Sequence, residues 1–421
     1  MRKMGILSLV FLVLPLTAFK PSDTSSLDTS HIVKIDASTR EERTEITSLG
    51  VSIEEIHDTY IVGICHSNQL KDLRAKGFLF ETYSTPAFLL DFPPGDGAFH
   101  NLQELESEMK ALVQAHSNLA TLSSIGKSVE GRDLWMVRIS GTQTKEGEKA
   151  GILFLGTHHA REHLSTEVPF FLMKHLLEKY GKDEKITRLV NEREIWIIPL
   201  VNPDGTDYDI TDKPYKWWRK NRQSAGAQSI YGVDLNRNYG YKWGGQGAGS
   251  DPSSETYRGV SAFSEPETGA VKAFIDTHPN ITTLLSYHTF SELILYPWGY
   301  TYDSIEDQQA FKVHETMAQA MGRMTGYKPQ QSSDLYITSG DTTDWSFGEH
   351  KIISFTFELY PASIWDGGFY PPASVIEGVS KNNIPPALYL IEYADNPYRV
   401  ITTGQPRDFL TVSDIWPPKP Q

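Results

Sequence analysis

The run GILFLGTHHAREHLSTEVPFFLMKHLL, residues 151–177, joins an apolar strand to a polar turn and then to an apolar helix. Its first seven residues are almost entirely apolar or glycine, which is typical of a strand that is buried on both faces of a sheet. Histidines, an arginine and a glutamate follow where the strand ends. Open α/β sheets bind their ligands at the carboxyl ends of strands. The segment therefore predicts an α/β fold with a polar site at this edge.

Two pairs of metal-binding side chains are conceivable in the turn. His159 and Glu162 are spaced i, i+3, and His159 and His163 are spaced i, i+4, so either pair can meet on one helical turn. On its own the His-x-x-Glu pattern is weak evidence for a metal site, because polar residues on a helix surface produce the pattern about as often as metal ligands do. His288 follows the apolar run LLSY at another strand end and is a candidate third ligand. A lone histidine there is more often a structural residue.

Helix-like and strand-like segments alternate over residues 99–395. LQELESEMKALVQAH (102–116) has helical periodicity, and EIWIIPLVN (194–202) has the pattern of a buried strand. Such alternation indicates a single α/β domain with a mixed sheet. Residues 396–421 are predicted to be an extended C-terminal tail.

A smaller unit is predicted at residues 31–85. Its segments have the order βαββαβ of the ferredoxin-like split motif. The segments are HIVKIDA, TREERTEITSL, SIEEIH, YIVGICH, NQLKDLRAKG and FLFETY. Residues 86–98, which include PPGDG, break regular structure and predict an exposed linker.

The first residues predict export from the cell. Arg2 and Lys3 precede an apolar run over 5–18, so residues 1–18 resemble a signal peptide and we expect a secreted protein, extracellular or periplasmic. The run is shorter than the roughly 20 residues that span a bilayer, so we expect no membrane anchor. A single cysteine, Cys65, excludes an intrachain disulfide framework. A net charge of −14 without a Lys/Arg cluster argues against a nucleic-acid partner. We expect a monomer.

Six motifs together resemble the zinc carboxypeptidases related to carboxypeptidases A, B and T. They occur in the order and at the approximate spacings of that family, over residues 99–395. The motifs are GTHHAREHLS, YKWWRKNR, GVDLNRNY, SYHTFSELILYPWG, LYITSGDTTDW and ISFTFEL. The resemblance implies a mixed-sheet catalytic domain that hydrolyses C-terminal peptide bonds with one zinc ion, although other divalent ions can occupy a two-His, one-Glu site.

The resemblance also assigns the metal ligands. They are His159, Glu162 and His288. Asp234 is implied to accept a hydrogen bond from His159, because metal-bound histidines need such a partner to fix their tautomer. Asp234 could otherwise be an ordinary turn residue. His158 and His163 match no ligand position.

Two further residues are implied to be catalytic. Glu358 lies in IISFTFELY, a run otherwise suited to a buried strand, where an unpaired carboxylate is costly. The resemblance implies that Glu358 is the general base, which takes a proton from the attacking water and passes it to the leaving amine. Arg219 is implied to stabilise the negative oxygen that forms on the scissile carbonyl. Its neighbours Lys220 and Arg222 are interpreted as solvated charges.

The resemblance places four residues on the substrate. Asn236 and Arg237 are implied to bind its free C-terminal carboxylate, and a guanidinium can do so through two parallel hydrogen bonds. Tyr336 closes over that carboxylate, and Arg161 contacts the substrate further upstream. Carboxypeptidase A has a tyrosine where this chain has Phe290, so one upstream contact is lost.

The floor of the specificity pocket is assigned to residues 339–344. At Thr343 carboxypeptidase A has an apolar residue and carboxypeptidase B an aspartate, whereas Asp341 with Thr343 resembles carboxypeptidase T, which accepts apolar and basic C-terminal residues. Asp341 can attract Lys or Arg, while Leu295 and Gly299 leave an apolar wall and room. We therefore predict mixed specificity.

Alternatives remain open at this stage. The N-terminal unit resembles an inhibitory pro-domain released by cleavage in the linker, or it is an accessory domain that stays attached. The chain could be an amidohydrolase of the same fold, acting on cell-wall peptides or acyl-amino acids, but Arg237, Tyr336 and Arg219 argue against it. It could also be a non-catalytic peptide- or metal-binding protein, which the intact base and ligands disfavour.

Overall fold

The computed structural model contains two packed units. The described residues are 31–83, 97–141, 145–211, 215–224 and 232–402. The predicted signal peptide, most of the predicted linker and the end of the predicted tail lie outside them. Within the described residues no helix combines the length and the apolarity needed to cross a membrane.

The N-terminal unit has the element order that the sequence predicts. Its elements are β1 (His31–Asp36), α1 (Arg40–Ser48), β2 (Ser52–Ile56), β3 (Tyr60–Cys65), α2 (Ser67–Ala75) and β4 (Phe80–Tyr83). The strands form an antiparallel sheet in the order β2-β3-β1-β4. A capping box begins α1, because Thr39 accepts from the backbone N–H of Glu42 while the Glu42 carboxylate accepts from that of Thr39.

The second unit is an α/β domain. Its strands are β5 (Ala120–Lys127), β6 (Asp133–Ile139), β7 (Gly151–Gly156), β8 (Glu194–Ile198), β9 (Ile281–Thr289), β10 (Leu293–Tyr296), β11 (Lys328–Gln331) and β12 (Ile353–Leu359). Its helices are α3 (Leu102–Ala115), α4 (Leu164–Lys179), α5 (Glu184–Glu192), α6 (Pro203–Ile210), α7 (Pro266–Thr277), α8 (Gln308–Thr325), α9 (Thr342–His350), α10 (Ile376–Tyr393) and α11 (Arg399–Thr402).

The eight strands form one mixed sheet, which confirms the predicted α/β class. Their order is β11-β10-β12-β9-β7-β8-β6-β5, and the central strands β12, β9, β7 and β8 are parallel. Side chains alternate between the faces: Ile152 and Phe154 of β7 enter the core beneath α4, α8 and α10, while Leu153 and Leu155 enter the core beneath α7 and α9. Burial on both faces explains the apolar run at 151–156.

This topology sets the position of the polar site. The carboxyl ends of β7, β9 and β12 are adjacent because these strands are parallel neighbours. Chain segments from around residues 159, 288 and 358 therefore meet at one edge of the sheet.

The predicted tail begins too early. Arg399–Thr402 form α11 instead of an extended segment, and Val400 is buried in the main core. Burial of an apolar side chain explains why the chain stays attached to the domain up to this point.

Candidate active site

Three buried side chains converge at the ends of β7 and β9. His159 and Glu162 lie in the turn before α4, and His288 is the penultimate residue of β9. Nδ1 of His159 lies 2.7 Å from Oε1 of Glu162, and Nδ1 of His288 lies 3.0 Å from Oε2. The two Nδ1 atoms are 3.1 Å apart. The structure thus brings together the three predicted ligands.

Hydrogen bonds fix the turn and the tautomer of His159. The backbone N–H of Glu162 donates to the carbonyl of His159 at 3.1 Å, which places both side chains on one side of a helical turn. Nε2 of His159 donates to Oδ1 of Asp234 at 3.1 Å. Because Nε2 carries the proton, the lone pair of Nδ1 points toward Glu162 and His288.

The donor set fits a zinc ion. Two imidazole nitrogens and one carboxylate form many catalytic zinc sites, with a water in the fourth position. Ligand atoms of the three residues all lie within 4.8 Å of one another. Burial would raise the pKa of Glu162, but its two histidine neighbours outweigh burial and lower it, so the carboxylate stays negative. His163 does not join the group, because its Nε2 lies 2.9 Å from Oδ2 of Asp209.

Arg219 and Asp234 form a buried ion pair beside the ligands. Nε and Nη2 of Arg219 each lie 3.0 Å from Oδ2 of Asp234. Burial would raise the pKa of Asp234, but the charge of Arg219 outweighs it and holds the pKa well below its usual range. Nη1 of Arg219 lies 3.9 Å from Oε1 of Glu162. A fixed positive charge therefore stands next to the ligand group.

Glu358 faces the same cavity from the end of β12. The parallel register pairs Glu358 with His288, and strand alternation puts both side chains on one face of the sheet. Glu358 is half-buried and lines the cavity. Burial, and then the neighbouring charge of Glu162, raise the pKa of Glu358 well above its usual range. A carboxylate whose pKa is raised in this way is a stronger proton acceptor than an ordinary one.

A single helical turn, Leu235–Arg237, presents two predicted carboxylate-binding residues. Oδ1 of Asn236 accepts from the backbone N–H and the hydroxyl of Thr342, at 2.9 and 2.8 Å. Arg237 donates through Nε to the carbonyl of Gly247 at 3.0 Å and through Nη1 to that of Asn236 at 2.9 Å. Its Nη2 has no partner among the described residues, and Arg237 lines the cavity. The guanidinium is thus held in place with donors to spare.

Two other predicted substrate-binding residues contact the N-terminal unit. The hydroxyl of Tyr336 donates to the carbonyl of Ile53 at 3.4 Å. Nη2 of the fully buried Arg161 lies 2.9 Å from Oε1 of Glu54, and its Nη1 lies 2.7 Å from Oε2 of Glu255. In this structure, therefore, the side chains of Tyr336 and Arg161 both bind groups of the protein itself.

The predicted pocket floor lies at the start of α9. Oδ1 of Asp341 caps this helix, accepting from the backbone N–H of Asp344 and the hydroxyl of Thr343, each at 2.8 Å. Its Oδ2 accepts from the hydroxyl of Thr338 at 3.3 Å. A Cβ on Gly299 would collide with Oγ1 of Thr338 and would lie 3.0 Å from that Oδ2, so the close packing of these groups against the backbone requires glycine. The cavity is lined by three of the predicted specificity residues: Leu295, Asp341 and Thr343.

The cavity measures about 900 Å³ and lies between the two units. Ile53 and Glu54 of the N-terminal unit line it together with the residues described above. Phe290, also in its wall, packs against Phe369 with ring centroids 5.0 Å apart.

Glu54 and Glu255 are site residues that sequence reasoning missed. A bulge in β2 leaves Glu54 without a partner in β3, and its side chain meets Arg161. The available signal is the pair of adjacent glutamates in the predicted strand SIEEIH, since alternation must bury one of them. Glu255 lies in a polar loop and carries no sequence signal.

Comparisons with known proteins agree with this geometry. Residues 105–385 match the model of the family described as zinc carboxypeptidase. A zinc carboxypeptidase from Saccharothrix mutabilis subsp. capreolus is 37% identical over 418 residues, covering 93% of this chain and 95% of the relative. Carboxypeptidase A1 from Bos taurus is 32% identical over 302 residues, covering 71% of this chain and 70% of the relative.

A solved structure shares the fold. The crystal structure of carboxypeptidase A from Helicoverpa armigera matches with a TM-score of 0.74 at 22% identity, covering 89% of this chain and 99% of that chain. Because the family match spans most of the chain and a 37%-identical relative spans nearly all of it, this chain belongs to the zinc carboxypeptidase family of enzymes, whose single zinc ion its His159, Glu162 and His288 fit.

Proposed function

We propose that this zinc carboxypeptidase removes single amino acids from the C-termini of peptides, accepts both apolar and basic C-terminal residues, and is made as a secreted precursor. The observation that carries the proposal is the position of Arg237, which lines the same cavity as Glu358. Its Nε and Nη1 donate to backbone carbonyls, and its Nη2 has no partner among the described residues. A guanidinium binds a carboxylate through two parallel hydrogen bonds, and a free C-terminus supplies that carboxylate.

Glu358 is the general base in this proposal. His159, Glu162 and His288 would hold the zinc ion, which would act as a Lewis acid toward the scissile carbonyl. Glu358 accepts a proton from the attacking water and donates it to the leaving amine. Its raised pKa supports this role, because a more basic carboxylate is a stronger proton acceptor.

Arg219 stabilises the oxyanion. Its Nη1 lies on the side of the ligand group, while Nε and Nη2 are committed to Asp234. A donor that is already fixed needs no reorganisation when charge develops on the substrate oxygen. Asn236, Arg237 and Tyr336 bind the terminal carboxylate.

Mixed specificity follows from the pocket floor. Oδ2 of Asp341 is engaged by one long hydrogen bond, so it keeps acceptor capacity for a Lys or Arg side chain. Leu295 in the cavity wall receives apolar side chains. The pairing of Asp341 with Thr343 supports the resemblance to carboxypeptidase T.

The N-terminal unit acts as an inhibitory pro-domain, released by cleavage in the linker at 86–98. Its Glu54 forms an ion pair with Arg161, and the carbonyl of its Ile53 accepts a hydrogen bond from Tyr336. The substrate would otherwise contact Arg161 and Tyr336. The basic-then-apolar order of residues 1–18 supports secretion, extracellular or periplasmic. We propose a monomer that acts on peptide or protein C-termini, without a nucleic-acid partner or a membrane anchor.

The test measures amino-acid release from N-blocked peptides by the zinc-loaded full chain, before and after limited proteolysis. Release should rise after cleavage and stop when a chelator removes zinc. Glu358→Gln should keep zinc and lose about 10²- to 10⁴-fold in kcat, whereas Glu162→Gln should lose zinc as well. A zinc-loaded, cleaved chain that releases no amino acid from any peptide would favour the amidohydrolase or the non-catalytic alternative.

Substrate preference needs a separate comparison. Peptides that differ only in a final Phe, Leu, Arg or Glu should show comparable kcat/KM for the first three and a much lower value for Glu, because Asp341 repels a second carboxylate. Strict selectivity for one class would refute mixed specificity.

A further inference from the structure

Asp209 is a buried carboxylate that joins three segments around the active site. Its Oδ1 accepts from the backbone N–H of Trp218 at 2.7 Å. Its Oδ2 accepts from Nε2 of His163 and from the hydroxyl of Tyr370, both at 2.9 Å. These donors come from the start of α4, from residues 215–224 and from the loop after β12. One carboxylate therefore ties together segments that are remote in sequence.

The residue before Trp218 has a strained backbone. Trp217 has φ +57°, a left-handed conformation that a bulky residue rarely adopts. Its carbonyl accepts from Nη1 of Arg161 at 3.0 Å, and the following N–H donates to Asp209. The peptide between Trp217 and Trp218 is thus held from both sides, as a strained conformation must be in order to persist.

This anchored peptide leads directly into Arg219. The carbonyl of Arg219 accepts from the backbone N–H of Ala160 at 2.9 Å, and its guanidinium is held by Asp234. Asp209 supplies the anchor on the preceding peptide, at Trp218. The position of the guanidinium therefore depends on where Asp209 holds the backbone.

We propose that Asp209 is a positioning residue for Arg219. By holding the backbone before Arg219, Asp209 fixes the position of Nη1 of Arg219 beside the scissile bond. The inference rests on the proposed role of Arg219 in stabilising the oxyanion. Without the acceptor at Asp209, Trp217 relaxes from its left-handed conformation and the backbone of Arg219 shifts. A displacement near 1 Å in a catalytic group can cost about a hundredfold in rate.

The test uses the zinc-loaded full chain after limited proteolysis. Asp209→Asn replaces one carboxylate oxygen by an amide NH₂ group. This donor then faces either the N–H of Trp218 or the N–H of His163, and that hydrogen bond is lost. We expect kcat to fall about tenfold to a hundredfold with KM changed by less than about twofold. Zinc affinity, measured by competition with a chelator, should not change, because the ligand His159 keeps its own partner, Asp234.

A double-mutant cycle separates positioning from general damage. In an Arg219→Ala background, Asp209→Asn should have no further effect on kcat, because residues that act as a unit are not additive. If Asp209→Asn does not fold, Asp209→Glu takes its place in the cycle, since it keeps the charge but moves the carboxylate by one methylene.

Asp204 offers a matched control on the same helix. It is also buried, and it accepts from the hydroxyl of Ser128 and the backbone N–H of Glu130, both at 2.7 Å. Asp204→Asn should lower thermal stability and leave kcat within about twofold.

Three results would overturn the inference: unchanged kcat in Asp209→Asn, a loss that persists in the Arg219→Ala background, or a parallel loss of zinc affinity. If Arg219→Ala itself leaves kcat intact, the proposed function of Arg219 fails, which is a separate result.

Discussion

Glu54 and Arg161 form a buried ion pair, with Oε1 and Nη2 2.9 Å apart, that ties the N-terminal unit to the mouth of the active-site cavity. An apolar cluster also joins the two units, so the N-terminal unit covers hydrophobic surface as well as charge. Its members are Ile32, Val62 and Ile64 of the N-terminal unit and Tyr215, Trp217, Phe290, Ile364, Phe369 and Tyr370 of the second unit.

Loss of the Glu54 charge should weaken this docking. Glu54→Gln removes a charged hydrogen bond worth about 1.5–3 kcal/mol, while Arg161 retains Glu255. The open population of the uncleaved chain should rise, and its peptide hydrolysis should increase about tenfold. Activity after complete cleavage should stay unchanged. Kinetics on the intact and the cleaved chain check this prediction.

Arg40→Gln is the matched control for Glu54→Gln. Arg40 and Asp334 also join the two units, at 3.1 Å, but both side chains are about half exposed, at 42% and 50%. Exposed pairs contribute about 0–1 kcal/mol, so activity of the uncleaved chain should change little. Equal effects of the two variants would contradict a specific role for the buried pair.

Asp234 should control metal affinity. Asp234→Asn keeps one oxygen for His159 and the backbone N–H of Asn236 but turns an amide donor toward the guanidinium of Arg219, so the contact with Arg219 is lost. Partners of this kind typically contribute 10- to 100-fold in metal affinity, and zinc binding should weaken by about that factor. Chelator competition measures it. The exposed Asp251→Asn is the control, and unchanged zinc affinity in Asp234→Asn would count against the assigned role.

Asp341 should decide the preference for basic residues. Asp341→Asn removes the charge and keeps the helix cap, because asparagine caps a helix as well as aspartate does. The kcat/KM for peptides ending in Arg should fall about tenfold, a change of about 1.4 kcal/mol, while the value for Phe stays within about twofold. Asp334→Asn, a more exposed change in the same cavity wall, should alter both values by less than about twofold. Equal losses for Arg and Phe would show that Asp341 is purely structural.

His314 should make the fold sensitive to acid. It is fully buried, with Nδ1 donating to the carbonyl of Ala310 at 2.9 Å, and burial lowers its pKa to about 4. Between that pKa and the unfolded value near 6.5, the unfolded chain binds a proton that the native chain does not. The free energy of unfolding therefore falls as the pH drops through this window, by roughly 3 kcal/mol in total.

His314→Gln tests this titration. Glutamine can donate to Ala310 and accept from the backbone N–H of Ser354 without gaining a charge. Denaturant unfolding between pH 8 and pH 4.5 should show a shallower loss of stability in the variant, by roughly 2–3 kcal/mol. The comparison at pH 8, where the histidine is neutral in both states, gives the packing cost of the substitution. Parallel pH profiles would contradict the prediction.

Much of the site was accessible from the sequence because its residues occupy strand ends. His159, Glu162, His288 and Glu358 each follow or terminate an apolar run, and parallel strands bring their carboxyl ends to one edge of the sheet. The choice of His159 with Glu162 over His159 with His163 needed the family resemblance, since both spacings suit a helical turn. The geometry agrees with that choice, because His163 turns to Asp209.

The sequence by itself determined the element order of the N-terminal unit, the α/β class of the second unit and the strand-end positions of the candidate zinc ligands, because periodicity and strand ends are set by residues near one another in the chain. Only the tertiary structure decided which partners these residues have. Glu54 meets Arg161 across 107 positions, and Asp209 meets His163 across 46. Such pairs depend on how the two units dock and how the loops pack. A local sequence pattern predicts neither, because the two partners are remote from each other in the chain.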